Sequence, residues 1–250
     1  MTRIDYSGAA AAYRAARTLP PEVMARWDAT MAAAGLPPAR RVLDLGAGPG
    51  GFLGALARWS GAPVVAVEPQ AAMRAEAVAA GTAARHPYAA GWGEALPLRA
   101  ACVDWAWLST VVHQLDDRDR AATELARVLR PGGVVLLRGF LSDVQITGAY
   151  RLFPGHERVA ATFPSTADVL ATFERAGFAP AGAHDVAEPW RLDPDSWEER
   201  VRSVRHKDSA LRHYTDDEFD EGVARITARL AGGPVPNDVT LRLVVLALPG

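Results

Sequence analysis

The stretch "RVLDLGAGPGG", residues 41–51, decides the fold. Val42 to Leu45 reads as a short buried strand, and the glycines after it as a sharp turn into a helix running from about Gly51 to Trp59. Gly46, Gly48 and Gly51 fall on a G-x-G-x-x-G spacing, yet glycine in such a turn mainly lets the backbone bend and approach a ligand closely, which several cofactor classes require. The spacing leaves the ligand open. Neighbouring charges must decide it.

Working outward, short apolar runs alternate with alanine- and arginine-rich helical patterns, the mark of β-α-β units and a mostly parallel sheet. Val64 to Val67 is a second strand closing on Glu68, Gln70 to Ala80 a helix, and a weaker third strand precedes Gly91. "CVDWAWLS" ends a fourth strand near Ser109; "RDRAATELARVLR" is an amphipathic helix stopped by "PGG", and "VVLLRGF" is the fifth strand. Farther on, "STADVLATFERAGF" is a helix that Ser165 or Thr166 caps, and "DVTLRLVVLAL" is a last strand with Val239, Leu241, Leu243 and Val245 on one face. The expectation is an α/β, doubly wound, mostly parallel seven-stranded sheet in a single domain, 1–250. Within it, 1–38 form an N-terminal helical arm, 39–140 the cofactor-binding half, and 141–250 the substrate-side half with a polar helical insertion at about 188–235.

The chain has 250 residues and a formal charge of −2, which disfavours nucleic acid or an anionic membrane as a partner and leaves a small molecule as the default. Lys207 is the lone lysine among 27 basic residues, a coding bias that takes weight away from arginine clusters. Cys102 has no partner for a disulfide and reads as a buried reduced thiol, which with the charged N-terminal residues suits a cytoplasmic protein. The six histidines show no metal-ligand spacing with one another or with Cys102, so no metal site is expected.

Charge then selects the cofactor. Asp44 stands two residues before Gly46, Glu68 ends the second strand, and Glu94 sits in "GWGEALPL". A dinucleotide would set its pyrophosphate beside Asp44 with nothing basic in the turn, a repulsion of roughly a few kcal/mol in a low-dielectric cleft. A cofactor carrying an ammonium and a sulfonium but no phosphate reverses that sign, and S-adenosylmethionine is such a cofactor. A carboxylate at the second strand end suits it too, accepting charge-assisted hydrogen bonds from both ribose hydroxyls.

"VLDLGAGPG", "VVAVEP", "GWGEALPL" and "ELARVLRPGGVVLLRGF" follow one another in the order and spacing of class I S-adenosylmethionine-dependent methyltransferases, and the chain resembles their small-molecule branch, the methyltransferase type 11 group, over residues 1 to 140. The resemblance implies that Asp44 and the backbone of Gly46, Ala47, Gly48 and Gly50 meet the methionine portion, Glu68 the ribose, and Pro69 with Met73 one face of the adenine. Where the family carries an aspartate for the adenine amino group, this chain has Trp92, which cannot accept that bond; Trp92 then stacks on or covers the ring, and Gly93 and Glu94 inherit the polar contacts. Ser109 corresponds to the position flanking the methionine half. The arm "YSGAAAAYRAARTLPPE" resembles a family segment whose tyrosine and arginine, here Tyr13 and Arg17, close over the cofactor, Arg17 pairing with its carboxylate.

Methyl transfer is an in-line displacement in which positioning does much of the work, and a base helps only where the acceptor must shed a proton. His113, four residues past Ser109, is either that base or a structural residue bonding a neighbouring loop. Arg138 ends the fifth strand at the same mouth, and Trp190, Trp197 and Tyr214 stand as a lid or as core. The function expected is transfer of a methyl group to O, N or C of a small metabolite, giving S-adenosylhomocysteine. The alternatives are a cofactor-binding scaffold that rearranges its substrate or serves regulation, and a nicotinamide-dependent oxidoreductase. The last requires Asp44 as an outlier and lacks a Tyr-x-x-x-Lys pair.

Overall fold

The computed structural model describes residue 8 and residues 10–144, 148–233 and 235–250. Strands β1 (Val42–Leu45), β2 (Val64–Val67), β3 (Tyr88–Ala89), β4 (Val103–Ser109), β5 (Leu129–Gly139), β6 (Ala179–Leu192) and β7 (Val235–Ala247) form one sheet in the order β3-β2-β1-β4-β5-β7-β6. The first five run parallel, while β7 enters antiparallel between β5 and β6. β1 buries all four of its residues, Asp44 included, as a central strand covered on both faces must.

Helices α1 (Ala10–Arg17) and α2 (Pro21–Ala33) make the arm. α3 (Leu53–Ser60), α4 (Ala71–Ala79), α5 (Arg118–Val128), α6 (His156–Ala160) and α7 (Thr166–Arg175) follow; Ser165 caps α7 in a reciprocal capping box with Asp168, as its sequence promised. One sheet face packs Trp27 of α2, Leu53 and Leu56 of α3, and Trp107; the other packs Leu125 and Val128 of α5 with Val169 and Phe173 of α7.

Three readings need correction. β5 begins at Leu129 and runs through "PGG", because the helix stops at Val128 and the chain pairs with β4 at once, with a register shift following. β6 was not placed by the sequence. Its small and polar residues carry no apolar run, and Pro180 and Pro189 are tolerated since it is an edge strand. Residues 188–192 and 235 therefore belong to the β6–β7 hairpin, which confines the helices of the insertion to α8 (Trp197–Val204) and α9 (Asp216–Leu230). Trp190 lies in β6, its side chain outside the described residues. Cys102 is half-buried rather than fully buried.

The insertion has a core of its own. Trp197, Val201, Leu211, Tyr214, Phe219, Val223 and Ile226 close on Ala149, Phe153 and Val159 from the connection after β5. Gly222 of α9 meets Phe153 so closely that a Cβ would lie 2.2 Å from its ring. Only glycine allows that contact.

Candidate active site

The turn after β1 is built by φ angles that L side chains avoid: Gly46 at 70°, Gly48 at 54° and Gly50 at 91°. Space is equally short, since a Cβ on Gly46 would stand 2.5 Å from Val111, and one on Gly50 would stand 2.5 Å from Thr82 and 2.6 Å from the Tyr88 hydroxyl. The Gly46 amide donates to the Val67 carbonyl at 2.8 Å, locking the turn to the neighbouring strand end.

Two carboxylates face this turn. Glu68 accepts from the Gly48 amide at 2.9 Å and the Gln70 amide at 2.8 Å. Asp44 is 2% exposed, and its carboxyl is pushed up to about 8, first by burial and then by the charge of Glu68. Burial likewise raises Glu68, against its backbone donors. Two such acids at the switch point of a doubly wound sheet are suited to a cationic ligand and poorly suited to a phosphate.

Two adjoining cavities meet here. The first, about 110 Å³, is the cleft expected to take the cofactor, lined by Tyr13, Gly46, Gly48, Glu68, Pro69, Met73, Trp92, Gly93, Glu94, Ser109 and His113. The second, about 400 Å³, takes in Arg17, Asp44 and Ala47 and runs under the insertion, past Phe140, Tyr150, Phe153 and Trp197. Tyr13, Gly46, Gly48, Ser109 and Thr110 border both. Gly50 lines neither, so its part is to shape the turn.

Several expected residues have other partners in this structure. Glu94 accepts from the Asp116 amide at 2.9 Å, and its carbonyl takes the Arg120 Nε at 2.8 Å, so the acid also anchors the approach to α5. Arg17 donates to Asp208 of the insertion at 3.0 Å and lies over the Tyr13 ring at 5.5 Å, tying arm to cover. Tyr6, the first tyrosine of the arm segment, lies outside the described residues. Trp92 is 37% exposed at the mouth of the cleft, and Met73 packs on Ala10 and Tyr13.

His113 is buried, its Nε2 2.9 Å from Ser209 Oγ and its ring edge-on to Phe163, while its Nδ1 has no hydrogen-bond partner. Burial, with Arg17 next, lowers its pKa to about 4, so the imidazole is neutral near pH 7. It lines the cofactor cleft and not the larger cavity, which favours the structural alternative over the base.

Three residues escaped the sequence reading. Thr110 holds a φ of 56° at the junction of the cavities, a costly conformation for a β-branched residue, fixed by its amide donating to the Arg138 carbonyl at 2.7 Å. Ser209 and Arg212 of the insertion line the cofactor cleft, a distance in sequence that no motif bridges. Arg138, at the end of the fifth strand, is buried, ion-paired to Glu188, and lies 4.9 Å and 5.0 Å above the Trp27 and Phe52 rings.

Comparison with known proteins fits this geometry. Residues 43–137 match the family model of the methyltransferase domain. The chain is 41% identical over 109 residues to the malonyl-[acyl-carrier protein] O-methyltransferase of Enterobacter lignolyticus, covering 42% of each chain. It thus spans about two fifths of the length of that curated relative. Among solved structures, the [4+2]-cyclase SpnF aligns with a TM-score of 0.57 at 18% identity, over 89% of this chain and 80% of that one. The Haemonchus contortus phosphoethanolamine N-methyltransferase 2, solved with S-adenosylhomocysteine, aligns with 0.54 at 17% identity, over 90% and 52%. At such identities the likeness speaks for the fold. Residues 43–137 thus match a methyltransferase domain, and the seven-stranded order and the acid-flanked glycine turn agree with the class I S-adenosylmethionine-dependent methyltransferases that the chain resembles.

Proposed function

We propose that this chain transfers the methyl group of S-adenosylmethionine to a small molecule held in the larger cavity. One observation carries the reading: the acid-flanked cofactor cleft opens into a second cavity at Ser109 and Thr110, so a methyl donor in one and an acceptor in the other meet at a shared wall. The junction suits the cofactor because Asp44, which borders the larger cavity beside the shared glycine turn, is a buried acid to which no described residue donates, a site that an ammonium or sulfonium satisfies and a pyrophosphate does not. Asp44 and the turn amides would hold the methionine end, Glu68 the ribose, and Met73, Pro69 and Trp92 the adenine. When bound, the cofactor supplies an electrophilic methyl carbon.

The protein's own contribution is alignment and exclusion of water. The arm and the insertion, joined by the Arg17–Asp208 pair, cover the junction from above, and the glycine turn fixes it from below. Among the described residues no helix is long and apolar enough to cross a membrane, and no group of three His, Cys, Asp or Glu could hold a metal. Calorimetry of S-adenosylmethionine, S-adenosylhomocysteine and NADH against the purified protein tests the cofactor: the first two bind and NADH does not. Release of S-adenosylhomocysteine across a panel of metabolites then separates methyl transfer from a rearrangement or a regulatory use of the same fold, and binding of NADH alone would overturn the reading.

A further inference from the structure

Glu188 stands on β6, 2% exposed, in the wall of the larger cavity. Its two oxygens are used unequally. Trp27 Nε1 donates to Oε1 at 2.7 Å, and the Arg138 guanidinium donates to the same Oε1; no described residue donates to Oε2. A buried carboxylate ordinarily fills its acceptor sites. Here the remaining acceptor belongs to a residue that borders a cavity large enough for a small metabolite.

Its place relative to the chemistry is set by one side chain. Arg138 donates through Nη1 to Ser109 Oγ at 2.9 Å and through Nη2 to Glu188, and Ser109 borders both cavities. A single planar guanidinium therefore spans from the methyl-transfer junction to the carboxylate. Trp27 and Phe52, flanking that guanidinium, keep the group rigid. The other charges of the cavity come in both signs, Arg14, Arg17, Arg200 and Lys207 against Asp44, Asp193 and Asp208.

We propose that Glu188 Oε2 receives a hydrogen bond from the methyl-accepting group, so that the site selects hydroxyl- or amine-bearing acceptors and disfavours carboxylates. The inference rests on the methyltransferase reading and deepens it. A hydroxyl or amine has a proton to donate to Oε2; a carboxylate has none, and two carboxylates at that distance repel unless one is protonated. In the transfer, a lone pair of the acceptor O or N forms the bond to the methyl carbon as the carbon–sulfur bond breaks, its electron pair remaining on sulfur. The acceptor's proton passes to bulk water afterwards, since placing it on Glu188 would leave the buried Arg138 cation without its counter-ion. Glu188 is thus a positioning and selecting group rather than a base.

The test uses three probes of one skeleton, 2-naphthol, 2-naphthylamine and 2-naphthoate, titrated calorimetrically into the full chain saturated with S-adenosylhomocysteine. The naphthol and the amine are expected to bind at least about tenfold more tightly than the naphthoate, a difference of about 1.4 kcal/mol. Glu188→Gln should collapse that ranking to within about threefold while leaving S-adenosylhomocysteine affinity unchanged. Because the single variant strands Arg138, the double variant Arg138→Met with Glu188→Gln provides a neutral, foldable background, and the ranking should be absent there too. Naphthoate binding as well as naphthol, a ranking that survives either variant, or no binding of any probe would overturn the assignment. Failure of S-adenosylhomocysteine itself to bind would instead count against the cofactor reading.

Discussion

If Asp44 must be ionised to hold a cationic cofactor, affinity depends on pH in a calculable way. The folded carboxyl titrates at about 8 against 3.8 for the free group, so in the ligand-free protein it is mostly protonated at pH 7. Its raised folded pKa means that the stability it contributes is complete below about pH 4 and is lost as pH rises through 8. Cofactor binding works against that preference and releases a proton. The ionised fraction rises from roughly one in thirty at pH 6.5 to roughly three in four at pH 8.5, so affinity should increase about twentyfold across that span, near 1.8 kcal/mol. The measurement is calorimetry of S-adenosylmethionine against the wild type and Asp44→Asn between these pH values, taken as a ratio so that the ligand's own ammonium cancels. Proton release should also appear as a dependence of the observed heat on the ionisation enthalpy of the buffer. A ratio that changes by less than about threefold, with no such buffer dependence, would refute the idea that this carboxylate meets the positive charge.

Other expectations concern the frame around it. Gly46→Ala places a Cβ against Val111 at a φ of 70° and should cost about 1–3 kcal/mol in urea unfolding together with cofactor binding. Gly222→Ala collides with Phe153 in the core of the insertion, and should abolish acceptor turnover while calorimetry still detects the cofactor. His113 titrates at about 4 when folded against 6.5 when free, so the stability it gives is present above pH 6.5 and lost as pH falls toward 4; His113→Gln should flatten that acid limb, worth about 3 kcal/mol, in thermal melts. Arg138→Met alone should destabilise by about 3–5 kcal/mol, and adding Glu188→Gln should restore most of that loss, as chemical denaturation would show.

The readable part of the chain was the part whose physics is local. Val42–Leu45 and Val64–Val67 appear at the residues their apolar runs mark, Ser165 caps the helix it precedes, and the glycine turn is where its spacing puts it. β6 was invisible because an edge strand rich in Ala, Gly and Pro owes its existence to thirteen residue pairings with β7, not to any pattern of its own. Glu188 was unreadable for the same reason: a lone acid before a proline acquires meaning only when Arg138, fifty positions away, lies beside it. His113 lines the smaller cleft rather than the acceptor's opening, and its bond to Ser209, ninety-six positions away, depends on how the insertion folds back.

The hairpin that carries the insertion pairs Leu192 with Val235 at its outermost register, so the helices between them leave and return through adjacent, hydrogen-bonded strands. Such a segment behaves as a cassette plugged into a socket, with Asp208, Ser209 and Arg212 as the pins that reach back to the arm, to His113 and to the smaller cleft. Replacing those roughly forty contiguous residues would reshape the larger cavity while keeping the sheet, provided that those three contacts are kept.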